Sequence, residues 1–250
     1  MSAVQVIKVG GNELDASEFI ARLATTIAGL ARRGVNLILV HGGGKELTTL
    51  LTALQIETRF RDGLRVTDAR TRDAALMVLS GLANKRLVAA LVAHGVLAIG
   101  LSGVDGGIVC AVPLHAELGF VGRPVRVRVE LLRACLAQGW LPVVAPMSLG
   151  EDGEIYNVNA DHAAGAIAAA MNADLLTFVT NVPGVLDGCG ALLPSLSAAQ
   201  AEALIANGTI SGGMIPKVRT ALEALNAGVG RVRITNLDGV ASNGGTVFAR

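Results

Sequence analysis

Short unbroken apolar runs alternate with longer amphipathic stretches along the whole chain, and few folds accommodate that rhythm. The runs are VQVIKV at 4–9, NLILV at 36–40, LAIGL at 97–101, LPVVA at 141–145, LLTFVT at 175–180 and RVRIT at 231–235. They are continuous rather than alternating, as strands covered on both faces are. Between them, residues 17–33, 67–94, 129–138, 161–171 and 215–227 are amphipathic at helical spacing. Buried strands interleaved with helices predict an α/β fold with a mostly parallel sheet and helices on both sides. Two patches, LGFVGRPVRV at 118–127 and GEDGEIYNV at 150–158, break the rhythm. Strand-forming residues flank glycine turns in both, so they read as antiparallel excursions at the sheet's rim.

The 250 residues suffice for one large domain or two joined lobes, and no low-complexity linker divides them. We expect a single domain with an N-terminal lobe over about 1–172 and a C-terminal lobe over about 173–250. Aromatics are only 3%, so the core has to be built from Ala, Val, Leu and Ile. A net charge of +1, with no basic run, argues against a nucleic-acid partner. Cys110, Cys135 and Cys189 are far apart and outside any C-x-x-C pair. They read as reduced thiols of a cytoplasmic protein rather than as a disulfide or zinc site. Lys8 interrupts the N-terminal apolar run before a secretory signal could form. Pro142 and Pro146 break the longest uncharged stretch, 134–150, so a soluble chain without a membrane partner is expected.

Ligands of open α/β sheets bind beyond the carboxyl ends of the strands, and glycines gather there. Lys8 lies inside the first strand, with Gly10 and Gly11 just after it. A strand lysine among apolar neighbours is costly unless its ammonium reaches an anion, and glycine amides can approach a phosphate closely. An edge lysine reaching water has equal weight at this point. His41-Gly42-Gly43-Gly44 ends the second strand and opens a helix at Lys45. Free N–H groups at a helix start suit a carboxylate or phosphoryl oxygen. The loop is not a Walker A motif, because Leu39 and Glu46 stand where glycine and Ser or Thr are required. Arg65, in GLRVTD, is a candidate fork for an acidic substrate, although most arginines only solvate a surface. Asp161, in NVNAD, opens an Ala-rich helix and on its own suggests no more than a helix-start acid. Lys217 follows Pro216 at another helix start, where a cation opposes the dipole and needs an anionic partner. Hydrolase and zinc schemes fail on spacing: Ser102 is outside any G-x-S-x-G, and His41, His94, His115 and His162 form no H-E-x-x-H pair.

Taken in order, KVGG, HGGG, GLRVTD, NVNAD, NVPGVLDG and GGMIPK span nearly the whole chain and resemble the amino acid kinase family. Ala83-Asn84-Lys85 and LGFVG at 118–122 resemble it too. The resemblance implies a three-layer α-β-α sandwich of the carbamate kinase-like type. It implies ATP-dependent phosphorylation of the γ-carboxylate of N-acetyl-L-glutamate, a step of arginine biosynthesis, with Mg²⁺ carried by the ATP and no metal site on the protein. On this resemblance Lys8 contacts the γ-phosphoryl group, Lys217 lies between it and the leaving ADP, and Asp161 orients both lysines. Gly11 and Gly44 bind the phosphoryl group, while Gly43, Gly44, Arg65 and Asn157 hold the acid. Asn181, Val182, Pro183, Gly184, Val185 and Leu186, with Thr209, Ile210 and Ser211, form the nucleotide loops. The chemistry agrees, since a side-chain carboxylate is already ionised at neutral pH. Alignment and charge cancellation are needed, not a histidine base. Asn181 and Arg123-Pro124 depart from the family pattern, where acidic residues are commoner.

Two rival expectations are a kinase for aminoadipate or glutamate linked to a carrier protein, and an inactive ligand sensor on a kinase fold. GLRVTD and NVNAD favour the free acid, and the presence of Lys8, Asp161 and Lys217 favours catalysis. Relatives inhibited by arginine carry an additional helix ahead of the first strand, which here begins near Val4. The expectation is therefore a homodimer insensitive to arginine, paired through the 67–94 helix along Ala75, Leu76, Leu79, Leu82 and Ala83.

Overall fold

The computed structural model describes residues 3–10 and 14–249. Its strands are β1 Val4–Val9, β2 Asn36–His41, β3 Phe60–Arg61, β4 Leu64–Arg65, β5 Ala98–Gly103, β6 Val109–Pro113 and β7 Val121–Val127. They continue with β8 Leu141–Gly150, β9 Ile155–Val158, β10 Leu175–Val179, β11 Ser195–Leu196, β12 Arg231–Thr235 and β13 Thr246–Ala249. The helices are α1 Ser17–Arg32, α2 Gly44–Ala53, α3 Ala69–Ala75, α4 Asn84–Ala93 and α5 Glu130–Ala137. The rest are α6 Ala160–Ala170, α7 Ala198–Ala206, α8 Met214–Asn226 and α9 Leu237–Ser242. Leu76–Ala83 is π-helical and joins α3 to α4 as one continuous helix.

One sheet runs in the order β11-β13-β12-β10-β1-β2-β8-β6-β7-β9, with β5 branching from β8. Its centre, β12-β10-β1-β2-β8, is parallel throughout. Among the described residues of this sheet, the antiparallel pairs are β12/β13, β6/β7 and β8/β9. Helices α5, α6 and α8 cover one face around Val6, Ile38, Val40, Leu176 and Phe178. Helices α1, α4 and α9 cover the other around Ile7, Val9, Leu37, Leu39 and Val143. Neighbouring residues of β2 thus lie in opposite cores, which is why its sequence is apolar without alternation. Each such Ile, Leu or Val contributes about 1.5–3 kcal/mol by leaving water.

The structure corrects three details of the sequence reading. Residues 118–127 contain no hairpin: β7 is a single strand paired antiparallel with β6. Gly122 is there for space rather than for a turn, since a Cβ on it would stand 2.7 Å from the Cβ of Tyr156. By contrast, 150–158 does contain a turn, with β8 and β9 antiparallel across it. Helix α8 begins at Met214, one residue before the 215–227 stretch, and Pro216 is its third residue, within the turn whose N–H groups lack helical partners. The stripe read on the 67–94 helix mostly faces the core: Ala75, Leu79 and Ala83 are buried. The large apolar side chains it exposes are Met77 (59%), Leu82 (46%) and Val92 (54%). That helix, Ala69–Ala93, is long and apolar enough by composition to cross a membrane, yet its inner face packs on β8 and α1.

Candidate active site

The carboxyl ends of β1 and β2 sit at the middle of the sheet, and the polar residues converge there. Lys8 lies on β1 between Phe178 of β10 and Val40 of β2, and only 6% of it is exposed. Across from it, Asn159 caps α6, its side-chain oxygen accepting from the N–H groups of Asp161 (2.8 Å) and His162 (3.4 Å). The cap fixes the first turn that carries Asp161. Asp161 Oδ1 is 2.7 Å from Lys8 Nζ, and Oδ2 is 3.7 Å from Lys217 Nζ on α8. Burial opposes ionisation of Asp161, but the charges of Lys8 and Lys217 outweigh it and hold the carboxyl below its usual range. Lys8 therefore does not reach water at an edge, and Asp161 is more than a helix-start acid.

The glycine loop lies beside this pair. Gly42 N–H donates to the Val9 carbonyl (3.2 Å), and the Gly43 carbonyl accepts from Leu47 N–H (3.0 Å). Among the described residues, no acceptor meets the N–H of Gly43 or Gly44. A Cβ on Gly43 would stand 2.6 Å from Leu79 Cδ2, so a larger residue there would have to push the end of that side chain aside. Gly11 falls outside the described residues.

Arg65 closes the opposite side. It ends the two-residue strand β4, whose hairpin with β3 turns on Asp62 and Gly63, both at positive φ (50° and 77°). The guanidinium donates to the Gly44 carbonyl (3.1 Å), Thr48 Oγ1 (2.8 Å) and Thr58 Oγ1 (3.3 Å), and stacks 4.7 Å from the centre of Phe60. Among the described residues it has no carboxylate partner, and burial alone depresses its pKa. A buried guanidinium so left is a ready site for an anion. Asn157 on β9 donates to Thr67 Oγ1 (3.3 Å).

Lys8, Gly43, Gly44, Arg65, Asn157 and Asp161 line a single cavity of about 230 Å³, with Gly42, Phe60, Leu64, Leu79, Val121 and Asn159 among its other walls. Lys217 is not part of that wall and joins the cavity only through Asp161. Sequence reasoning missed Thr48, Thr58 and Asn159. Asn159 had a usable signal, an Asn directly before a helical run; the threonines had none. Glu46, in the first turn of α2, is buried with no partner for either carboxylate oxygen among the described residues, and burial raises its pKa. No group of three or more His, Cys, Asp or Glu able to hold a metal occurs among the described residues.

The residues assigned to nucleotide binding follow β10 and precede α8. Asn181, Pro183 and Ser211 are exposed, Val182, Leu186 and Thr209 half-buried, and Gly184 buried against Thr246. Val185 and Ile210 are buried at 1% and 2%, so their side chains belong to the core. The Val185 N–H is taken by Thr246 Oγ1 (2.8 Å) and the Ile210 N–H by the Leu204 carbonyl (2.9 Å). These two support the loops rather than offer contacts.

Residues 3–236 match the amino acid kinase family. Over 246 residues the chain is 54% identical to an acetylglutamate kinase of Roseiflexus sp. (strain RS-1), covering 97% of this chain and 92% of that one. Among solved structures it is similar to smu.665 from Streptococcus mutans UA159, with 30% identity, TM-score 0.85, and coverage of 100% and 99% of the two chains. Carbamate kinase from Giardia lamblia, at 17% identity and TM-score 0.74 with coverage of 100% and 99%, shares the fold.

Proposed function

The chain belongs to the amino acid kinase family, and from that premise we propose that it transfers the γ-phosphoryl group of ATP to the side-chain carboxylate of N-acetyl-L-glutamate. Its 54%-identical Roseiflexus relative is named an acetylglutamate kinase. The observation that carries the reading is the buried Arg65 guanidinium, unpaired with any described acid, in the same cavity as the Lys8–Asp161–Lys217 group. One end of the cavity suits a fixed carboxylate and the other a reacting anion.

In this reading Arg65 and Asn157 hold the α-carboxylate end of the acid. The side-chain carboxylate meets the N–H groups of Gly43 and Gly44, which have no acceptor among the described residues. One of its oxygens attacks the γ-phosphorus in line; the new O–P bond forms as the bond to the β,γ-bridging oxygen breaks, and that electron pair leaves with ADP. No proton moves, because the nucleophile is already ionised. Lys8 and Lys217 offset charge on the transferred group and on the leaving oxygen, and Asp161 keeps the two ammonium groups in place. Mg²⁺ arriving with the nucleotide neutralises phosphate charge, and no protein ligand set for it is invoked. Residues about 1–172 form the lobe for the acid and about 173–250 that for the nucleotide, through Asn181, Val182, Gly184, Thr209 and Ser211.

The enzyme is read as soluble and cytoplasmic, a supplier of acyl phosphate for arginine biosynthesis. We pair two copies through the exposed side of Ala69–Ala93, at Met77, Leu82 and Val92. Light scattering of the wild type and of Met77→Asp tests that pairing. For the reaction, ADP release is measured with N-acetyl-L-glutamate, L-glutamate and aminoadipate, each with and without Mg²⁺. Turnover should need the acetylated acid and Mg²⁺; equal turnover of the free amino acid would remove the assignment.

A further inference from the structure

His41 is wholly buried and does not line the cavity, yet it is bonded to the loop that does. Its Nδ1 lies 2.7 Å from the Gly42 carbonyl, and its Nε2 lies 3.1 Å from Asn84 Nδ2. Asn84 is also fully buried, at the point where the π-helical segment gives way to α4. Its Nδ2 donates to the carbonyls of Val143 (2.9 Å) and Leu101 (3.2 Å), and its Oδ1 accepts from Lys85 Nζ (3.0 Å). Two carbonyls and an ammonium thus decide which end of the amide faces His41. The amide nitrogen has two hydrogens for three acceptors, so one is shared; that donor faces Nε2 and the Gly42 carbonyl, which can only accept, faces Nδ1, so Nε2 accepts and Nδ1 carries the proton. Gly100 makes room for the amide, since a Cβ there would stand 2.0 Å from Asn84 Oδ1.

The consequence falls on Gly42. Its N–H donates to Val9, and its carbonyl accepts from His41 Nδ1–H, so both of its polar groups are engaged by the protein. Among the described residues, the next two N–H groups, of Gly43 and Gly44, are the ones left without an acceptor. Three consecutive glycines have more backbone freedom than any other tripeptide, and pinning the first restricts the other two.

We propose that His41, locked in its Nδ1–H tautomer by Asn84, is a positioning residue that aims the Gly43 and Gly44 amides at the acceptor carboxylate and the transferred phosphoryl group. The assignment deepens the kinase reading of this site and rests on it. Burial holds the imidazole down to about 4, with the Lys85 charge acting the same way and the Gly42 carbonyl opposing. The ring is therefore neutral at working pH and serves by geometry alone.

Three substitutions separate position from bulk. His41→Asn carries an amide nitrogen near the place of Nδ1, His41→Gln near that of Nε2, and His41→Leu carries neither. The Asn variant should keep kcat within about threefold, while the Gln and Leu variants should lose roughly 30-fold in kcat with little change in KM for ATP. In the protein without substrates, backbone amide exchange across 42–45 should quicken in the Gln and Leu variants and not in the Asn variant. Should His41→Leu fail to fold, the Asn and Gln pair still decides. Equal kcat and equal exchange in Asn and Gln, or full kcat in Leu, would overturn the proposal. If the unsubstituted protein did not phosphorylate N-acetyl-L-glutamate, the kinase reading would fall, whereas the exchange comparison would still judge the tautomer lock.

Discussion

The cavity proposed for the acid and the loops proposed for the nucleotide are built differently. Around Lys8, Asp161 and Arg65 the polar groups are side chains, buried and braced by named partners: Asn159 on Asp161, and Thr48 and Thr58 on Arg65. Around 181–186 and 209–211 the residues that face solvent are Asn181, Pro183 and Ser211, over a support of Val185 and Ile210. A small dianionic acid offers few contacts, so each has to be charged and pre-positioned. A nucleotide is large, and many weak contacts can share its binding. Side-chain deletions should therefore be costly in the first region and mild in the second.

The largest effect is expected at Lys8. Lys8→Ala should lower kcat by roughly 10²–10³, with KM for the acid nearly unchanged, because the charge acts on the transferred group. Lys217→Ala should lie at the low end of that range, since 27% of its side chain is exposed and water can partly replace it. Steady-state kinetics of both variants checks this, and an intact kcat in Lys8→Ala would return it to a structural role.

Asp161→Asn tests whether the buried group is held by charge. It leaves Lys8 without its counter-charge and should cost about 3 kcal/mol of stability. The carboxyl pKa is lowered in the folded state, so its stabilisation is present above the ordinary carboxylate range and lost as pH falls through the lowered value. Chemical denaturation should accordingly show a constant gap between wild type and variant at neutral pH, closing only in acid. A gap that opened on acidification would contradict the charge account.

Next in size, Arg65→Ala should raise KM for N-acetyl-L-glutamate roughly 10-fold to 100-fold, the worth of a charge-assisted bond, and leave kcat near wild type. Arg65→Lys should not rescue it, because one ammonium cannot replace two nitrogens that bond Thr48 and Thr58 separately, nor fork onto a carboxylate. Asn181→Ala and Ser211→Ala, on the other side, should change KM for ATP by no more than about threefold. An effect as large as that of Arg65→Ala would erase the contrast between the regions.

The smallest effect is at Glu46. Its pKa is raised by burial, so the folded state loses stability as pH rises from the ordinary carboxylate range through the raised value. Glu46→Gln should therefore raise Tm at about pH 8 by roughly 2 °C and leave it unchanged near pH 4. A lower Tm at pH 8 would mean that the carboxylate has a stabilising partner after all.

Much of this molecule could be read from residues in a row. Continuous Val, Ile and Leu runs determined buried parallel strands, because a strand packed on both faces has no polar side to alternate with. The glycines after β1 and β2, and the polar residues near them, marked where the sheet would bind. Asn159 before an alanine run marked a helix start. These are local properties, carried by spacing and side-chain type.

The tertiary structure alone decided what stands next to what. Lys8, Asp161 and Lys217 are on β1, α6 and α8, and only the packing of two helices on one sheet face brings them within 2.7 Å and 3.7 Å. The same holds for Gly122, whose missing side chain makes room for Tyr156 rather than for a turn, and for the 67–94 stripe, most of which packs inward. An apolar stripe or a glycine looks the same in sequence whether a core, a partner or a turn lies beside it. Burial and close approach are properties of pairs of distant residues, and a linear pattern records only one member of each pair.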